Sequence, residues 1–306
     1  MAQLQTFLAV LDHGGFDAAA RSLHVSAPAV SQRIRSLEAG LGRVLIQRIT
    51  PPLPTPAGEK LIPYARRILA LAGEAALAAG GATPGGDVVL PLAVNADSLS
   101  TWFLDALASY PEKDAVRFHI ERVDQDLAAE SLSQGRVLGA VSASRQAAPG
   151  CVSRPLGVMR YLPVAAPRWL ERHGLKPGRP GLAARLEELP IVDYDGDDTL
   201  QRDFLADWAG HPVTPSGHRV ADSPGFVGAI EIGLGWGLVS EDQGRKALEA
   251  GRLVRLSATR TRDVGLYWHQ WDLTTSHLED FGRHVTNFAR ARLRRSPTPN
   301  GVIDSP

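Results

Sequence analysis

Three residues near the N-terminus have the types and spacing needed to read base pairs. Pro28, Gln32 and Arg35 follow one another at steps of four and three, so a helix over this stretch puts them on one face. Glutamine pairs bidentately with adenine, arginine with guanine, and proline offers an apolar contact to a thymine methyl. Ser31 sits at the edge of the same face. Arg33 falls on a flank and suits a phosphate, as do Arg43 and Arg48 beyond the helix. Between His24 and Thr50 four arginines are set against the single acid Glu38. The 306-residue chain as a whole carries 33 basic and 33 acidic residues, a formal net charge of zero. A nucleic-acid surface must therefore be local, and this segment supplies one.

The flanking pattern supplies the elements to hold that face. Leu4, Phe7, Leu8 and Leu11 keep helical spacing until His13-Gly14-Gly15 interrupts it. A second helix, 16–23, carries Ala18, Ala19 and Ala20, small enough for a close helix crossing. After the turn His24-Val25, Ser26 is an N-cap with Pro28 in the first turn. Val30, Ile34, Leu37 and Leu41 form the inward stripe. Residues 44–56 read as a short β-wing. Thr55-Pro56 then starts a helix towards Gly80, about 35 Å long at 1.5 Å per residue. Its apolar positions Leu61, Ile62, Ala65, Ile68, Leu69, Ala72 and Ala76 form a seam expected to pair with a second copy. Pro63 implies a kink or a later start.

A second set of residues has ligand-binding chemistry. Gly80 to Gly86 has the composition of a hinge. Beyond it strands and helices alternate, at 88–94, 98–109, 116–123, 127–134 and 137–143, which predicts a parallel twisted sheet. The alternation resumes at 190–194, 199–208, 224–232 and 236–240. Two α/β subdomains around a cleft fit better than one continuous sheet, with a last helix near 276–294. Ligands bind such folds at strand C-terminal ends. Asn95, Asp97, Ser98 and Ser100 follow the first strand: the serines beside helix-start N–H groups suit a carboxylate, and Asp97 an ammonium or guanidinium. Ser142 and Ser144 sit at another strand end, Asp193 and Asp195 at one in the second lobe, and Asp222 before a further helix. The run 195–198 also has the composition of a solvated acidic loop.

Enzyme chemistry finds little support. The nine histidines fall in no recognised constellation, and neither Gly-x-Ser-x-Gly nor His-Glu-x-x-His occurs. Gly233-Leu234-Gly235-Trp236-Gly237 follows a helix and enters a strand, the reverse of a dinucleotide fingerprint. Cys151 is the only cysteine, which excludes a disulfide framework or a cysteine-clustered zinc site and makes a cytoplasmic setting the default. The N-terminus lacks the pattern of a secretory signal, and no apolar run reaches membrane-spanning length. A DNA-bridging structural protein fits poorly with the modest charge.

The stretch Phe16-Asp17-Ala18-Ala19-Ala20 through Ser26-Ala27-Pro28-Ala29-Val30-Ser31-Gln32-Arg33-Ile34 resembles the signature of LysR-type transcriptional regulators. Leu37-Glu38, Leu41-Gly42, Leu45, Arg48 and Thr55-Pro56-Ala57-Gly58 continue the match in order. Ala27 departs from it, since a glutamine that contacts DNA is common there. The resemblance implies a winged helix-turn-helix (1–58), a dimerisation helix (59–80), a hinge (81–86) and a two-lobed effector domain like a periplasmic binding protein (87–295). Lobe I would take about 87–160 and 266–295, lobe II about 161–265, with a disordered tail at 296–306. It implies a homodimer or homotetramer on a pseudo-palindromic operator, acting with RNA polymerase at the nucleoid, without a cofactor. Val94-Asn95-Ala96-Asp97-Ser98, Gly139-Ala140-Val141-Ser142 and Tyr267-Trp268-His269 resemble the subgroup responsive to lysine or arginine. The implied effector is L-lysine or L-arginine, and the implied target an amino-acid exporter gene. A different effector, or inhibition at a replication origin, are the alternatives.

Overall fold

Two left-handed turns fix the angles of the first three helices. Helix α1 (Ala2–Asp12) is followed by Gly14 at φ +67, and α2 (Phe16–Ser22) by His24 at φ 52. Helix α3 (Ala27–Leu41) starts at Ser26, whose hydroxyl accepts from the Ala29 N–H at 3.4 Å, and ends at Gly42 in the left-handed region. Phe7, Val10, Ala19, Val30 and Ile34 are fully buried where the three helices meet. The computed structural model describes residues 1–78, 88–123, 125–195, 198–272 and 276–295. The expected hinge at 81–86 and tail at 296–306 lie outside the described residues.

The wing is a two-stranded antiparallel ribbon, β1 (Ile46–Gln47) with β2 (Leu53–Pro54). The Glu38 carboxylate accepts from the Leu45 and Ile46 N–H groups at 2.9 and 3.4 Å, tying the wing to α3. The Thr55 hydroxyl donates to the Val44 carbonyl at 2.7 Å and accepts from the Gly58 N–H at 3.1 Å, capping α4 (Pro56–Ala78). A Cβ on Gly58 would overlap the Leu45 carbonyl oxygen. The Thr-Pro-Ala-Gly sequence is thus a joint: a cap, a helix start and a backbone contact that only glycine permits.

Helix α4 corrects two expectations. It starts at Pro56 and is helical through Pro63, so the later start fails. The expected seam also divides. Leu61, Ile62, Ala65 and Leu69 pack on the N-terminal core, while Tyr64, Ile68 and Leu71 form the exposed apolar face, at steps of four and three. The side chain of Ala76 is outside the described residues. Pro63 itself meets Gly135: a Cβ there would come within 2.7 Å of the Pro63 Cα. One turn on, the Arg67 guanidinium lies 3.2 Å from the centre of the Trp271 ring.

The remaining elements are β3 (Val88–Val94), α5 (Ala96–Ser98) running through a π-helical turn (Leu99–Phe103) into α6 (Leu104–Ala108), β4 (Val116–Arg122), α7 (Gln125–Ser133), β5 (Gly139–Ser142) and β6 (Cys151–Ala165). Then come α8 (Pro167–Arg172), α9 (Leu182–Glu187), β7 (Ile191–Asp193), α10 (Leu200–Ala209), β8 (Gly217–Arg219), α11 (Ser223–Glu231), β9 (Trp236–Ser240), α12 (Glu241–Glu249), β10 (Val254–Arg255), β11 (Arg262–Trp271) and α13 (Ser276–Arg292). The pairs β3–β4, β3–β5, β7–β8 and β7–β9 are parallel, as the alternation predicts. The expectation of two α/β subdomains rather than one continuous sheet is corrected, because one mixed sheet runs through both. Strands β6 and β11, antiparallel to each other and to β9 and β5, join both halves into the order β4-β3-β5-β11-β6-β9-β7-β8, with β10 on β6. Strand β6 escaped the sequence reading because Pro155, Gly157 and Pro163 break its pattern. Trp102, Trp169, Trp236 and Trp268 are fully buried in the large core. Among the described residues no helix is long and apolar enough to cross a membrane.

Replacing Gly58 with Ala should destabilise the N-terminal domain by about 1–3 kcal/mol, the usual cost of forcing a methyl into a packed joint. The check is thermal unfolding; an unchanged midpoint would mean the wing moves aside without cost.

Candidate functional site

The exposed face of α3 has the expected composition. Pro28, Gln32 and Arg35 are exposed, Ser31 is half-buried beside them, and Val30, Ile34 and Leu37 face the core. The Arg35 guanidinium donates to Gln32 Oε1 at 3.2 Å. The two form one exposed polar surface. Ser26 acts as the N-cap. Arg33 donates to Thr6 Oγ1 at 3.4 Å and so braces α3 against α1. Arg43 is exposed just past the helix. Arg48, on the wing, sits 3.8 Å from Glu38 and keeps 60% of its side chain exposed.

The second site is a cavity of about 730 Å³ between the lobes. Asn95 and Asp97 reach it from the end of β3 and the start of α5, and Tyr161 from the middle of β6. Asp195, Asp198, Thr199, Gln201 and Asp203 come from the segment after β7 and from α10. Gln243 comes from α12, and Arg262 to Gly265 from β11. Among the described residues five carboxylates line it, those of Asp97, Asp195, Asp198, Asp203 and Asp263, against one arginine. That arginine, Arg262, donates to Asp207 at 2.9 Å, and Asp263 is clasped by Arg160 at 2.7 and 2.6 Å.

Asp97 is the best-connected of these acids. It accepts from Tyr161 OH at 2.5 Å, Ser223 Oγ at 2.9 Å and Gln243 Nε2 at 2.8 Å. Burial, and then the charge of Asp97, push the Tyr161 phenol well above its ordinary range, so it stays neutral and donates. Asp198 accepts from the Leu200 N–H and the Gln201 amide at 2.9 and 3.2 Å. Burial nonetheless raises its carboxyl above the usual carboxylate range, and Asp193 is raised for the same reason. Of the 195–198 run, Asp195 and Asp198 line the cavity, and residues 196 and 197 lie outside the described residues.

The other expected ligand residues lie outside the cavity lining. Ser98 is fully buried behind it. Ser100 touches Asp97 and Ser223 from the side. Ser142 accepts from the Ser144 N–H, and the Ser144 carbonyl takes a 2.8 Å hydrogen bond from His269, a turn that holds β5 to β11. Asp193 stands at the end of β7, and Asp222 caps α11 through the Gly225 N–H. Tyr161, Asp198, Gln243 and Asp263 were not anticipated. Asp198 had a signal in its acidic run; Tyr161 and Gln243 had none, one lying in an unrecognised strand and the other alone on a helix. Burial is the main cause that pushes the Cys151 thiol up to about 11, which disfavours the thiolate at neutral pH.

Replacing Arg35 with Ala should weaken specific DNA binding about 10- to 100-fold, one guanine-type contact, without affecting ligand binding. Gel-shift titration against calorimetry separates the two; an unaltered operator footprint would remove Arg35 from the reading face.

Comparison with known proteins matches both halves. Residues 1–59 fit the family model of the bacterial regulatory helix-turn-helix protein, lysR family, and residues 89–290 fit the LysR substrate binding domain. The lysine export transcriptional regulatory protein LysG of Corynebacterium efficiens is 37% identical over 292 residues, covering 95% of this chain and 98% of its own length. ArgP from Mycobacterium tuberculosis superposes with a TM-score of 0.84 at 36% identity, covering 97% of this chain and 99% of that one. Full-length LysG from Corynebacterium glutamicum with bound effector Arg gives 0.72 at 32% identity, over 96% and 99%. The exposed Gln32–Arg35 face, the wing and the two-lobed domain with its cavity thus share one lineage: the chain belongs to the LysR family of transcriptional regulators.

Proposed function

We propose that this regulator senses a basic amino acid, L-lysine or L-arginine, in the inter-lobe cavity and controls an amino-acid exporter gene. The observation that carries the reading is the lining, which among the described residues holds five carboxylates, one of them clasped by Arg160, and a single arginine already engaged by Asp207. Such a surface repels anions and holds a guanidinium or second ammonium by charge-assisted hydrogen bonds. The LysG relatives support it, one by the lysine export in its name and another by its bound arginine. Asn95, Asp97, Asp195 and Asp198 are the proposed effector contacts.

In this reading Pro28, Gln32 and Arg35 read base edges, and Arg43 and Arg48 hold phosphates on either side. The exposed Tyr64, Ile68 and Leu71 face of α4 pairs two copies. Their recognition helices then meet a pseudo-palindromic operator about one helical turn apart. Pairing of effector domains would complete a tetramer that acts with RNA polymerase in the cytoplasm, at the nucleoid.

The test is calorimetric titration with L-lysine, L-arginine and a neutral amino acid, followed by the operator footprint with and without ligand. Saturable binding of a basic amino acid alone is expected; no heat with either would remove the effector assignment. Affinity should also fall on acidification. The cation binds ionised Asp198, whose raised pKa brings protonation, and the loss of binding, to a higher pH than an ordinary carboxylate would. Asp198→Asn should weaken binding at high pH and flatten the profile. A pH-independent affinity in the parent protein would count against Asp198 as a contact.

A further inference from the structure

The amide nitrogen of Gln243 stands among three oxygens: Asp97 Oδ1 at 2.8 Å, Ser100 Oγ at 3.0 Å and Ser223 Oγ at 2.7 Å. A primary amide has two hydrogens, so it cannot satisfy three acceptors at once. Nor are the hydroxyls free to turn their hydrogens towards it. Ser223 donates to Asp97 Oδ1 at 2.9 Å, and Ser100 donates to the Asp97 carbonyl at 3.2 Å. Both therefore present lone pairs to the nitrogen. The amide's orientation follows from its partners, since a carboxylate demands a donor and Gln243 Oε1 takes the Ser240 hydroxyl at 2.8 Å.

Three acceptors, one of them a carboxylate, around one nitrogen form the complement of an –NH3⁺ group, with three hydrogens and a full positive charge. All the side-chain hydrogen bonds that Asp97 accepts here, from Tyr161, Ser223 and Gln243, come from neutral donors. The neutral amide leaves that carboxylate without the charge its surroundings are shaped to receive. The contact also crosses the cleft: Asp97 and Ser100 follow β3, whereas Ser223 and Gln243 begin α11 and lie in the first turn of α12.

We propose that Gln243 is a built-in surrogate for the effector's primary ammonium, holding its seat until the effector displaces it and so exchanging a lobe-to-lobe contact for a lobe-to-ligand one. The idea rests on the basic-amino-acid reading above and adds a regulatory residue to it. Gln243 competes with the effector, and Asp97, Ser100 and Ser223 are the shared acceptors.

The experiment is calorimetry on the full-length protein with L-arginine and with Nα-acetyl-L-arginine, which keeps the guanidinium but lacks the ammonium. Gln243→Ala should tighten L-arginine binding about tenfold, the size expected for removing a competing hydrogen-bonded group from a charged site. It should leave the weaker acetylated ligand unchanged. Ser223→Ala, which removes one acceptor from the seat, should weaken L-arginine instead, so the two variants move in opposite directions. Weaker L-arginine binding in Gln243→Ala, or equal gains for both ligands, would overturn the surrogate role while leaving the effector reading intact. A parent protein that binds no basic amino acid would overturn both.

Discussion

The antiparallel pairing of β6 with β11 is the constraint on which the rest of the effector domain depends. The two strands stay in register from Tyr161–Arg262 to Cys151–Trp271, with one shift between Leu266 and Tyr267. The first half of the domain hangs from this ribbon through β5 on β11, the second through β9 on β6. Relative motion of the halves must therefore bend or twist it. Its irregularities are Pro155, the register shift, and Gly157 at φ +147, where a Cβ would meet Leu293 and the Arg294 carbonyl. Arg160 and Asp263, joined by two short hydrogen bonds, clasp the ribbon beside the cavity.

The same ribbon touches the DNA-binding half at its other end. Residues 262–265 of β11 line the cavity, while Trp271, at the end of that strand, lies under Arg67 of α4 and donates to the Val137 carbonyl at 3.3 Å. The surface that receives α4 is shaped by glycines. Gly150 faces the Arg67 guanidinium, where a Cβ would come within 3.0 Å of it, and Gly135 accepts Pro63. Proline in a helix interior forfeits a hydrogen bond and crowds the preceding turn. Here it meets an interdomain surface that has no side chain to oppose it. In the proposed reading, a change of ribbon twist at the cavity is carried to the helix that positions the recognition helices. Such a route transmits only if the effector distinguishes two placements, and the proposed displacement of Gln243 from Asp97 would supply such a difference.

The DNA-binding half was largely legible in the sequence because local rules decide it. A three-residue turn, a serine cap, an inward Val30-Ile34-Leu37 stripe and a Thr-Pro-Ala-Gly joint each act within a few residues. The cavity was less legible because its residues converge from stretches scattered between Asn95 and Gly265. Asn95, Asp97 and Asp195 could be found since they follow strands, where α/β folds bind ligands. Tyr161 could not, because the prolines and glycine of β6 mask a strand that is specified by its long-range partners. The α4 seam failed in an instructive way. Periodicity located the apolar positions but not which of two faces was already occupied by the N-terminal core.

The cavity's charge also bears on how ligand binding and stability are joined. A net charge of zero over the chain conceals a concentration of acids in one recess. Burial raises the carboxyls of Asp193 and Asp198, so each binds its proton more tightly folded than unfolded. Across the interval between its ordinary and raised pKa, the unfolded chain binds fewer protons than the folded one, and stability falls as pH rises. Above that interval the folded protein holds ionised acids in a poorly hydrated setting. A cation bound beside ionised Asp198 would offset part of that cost by charge pairing.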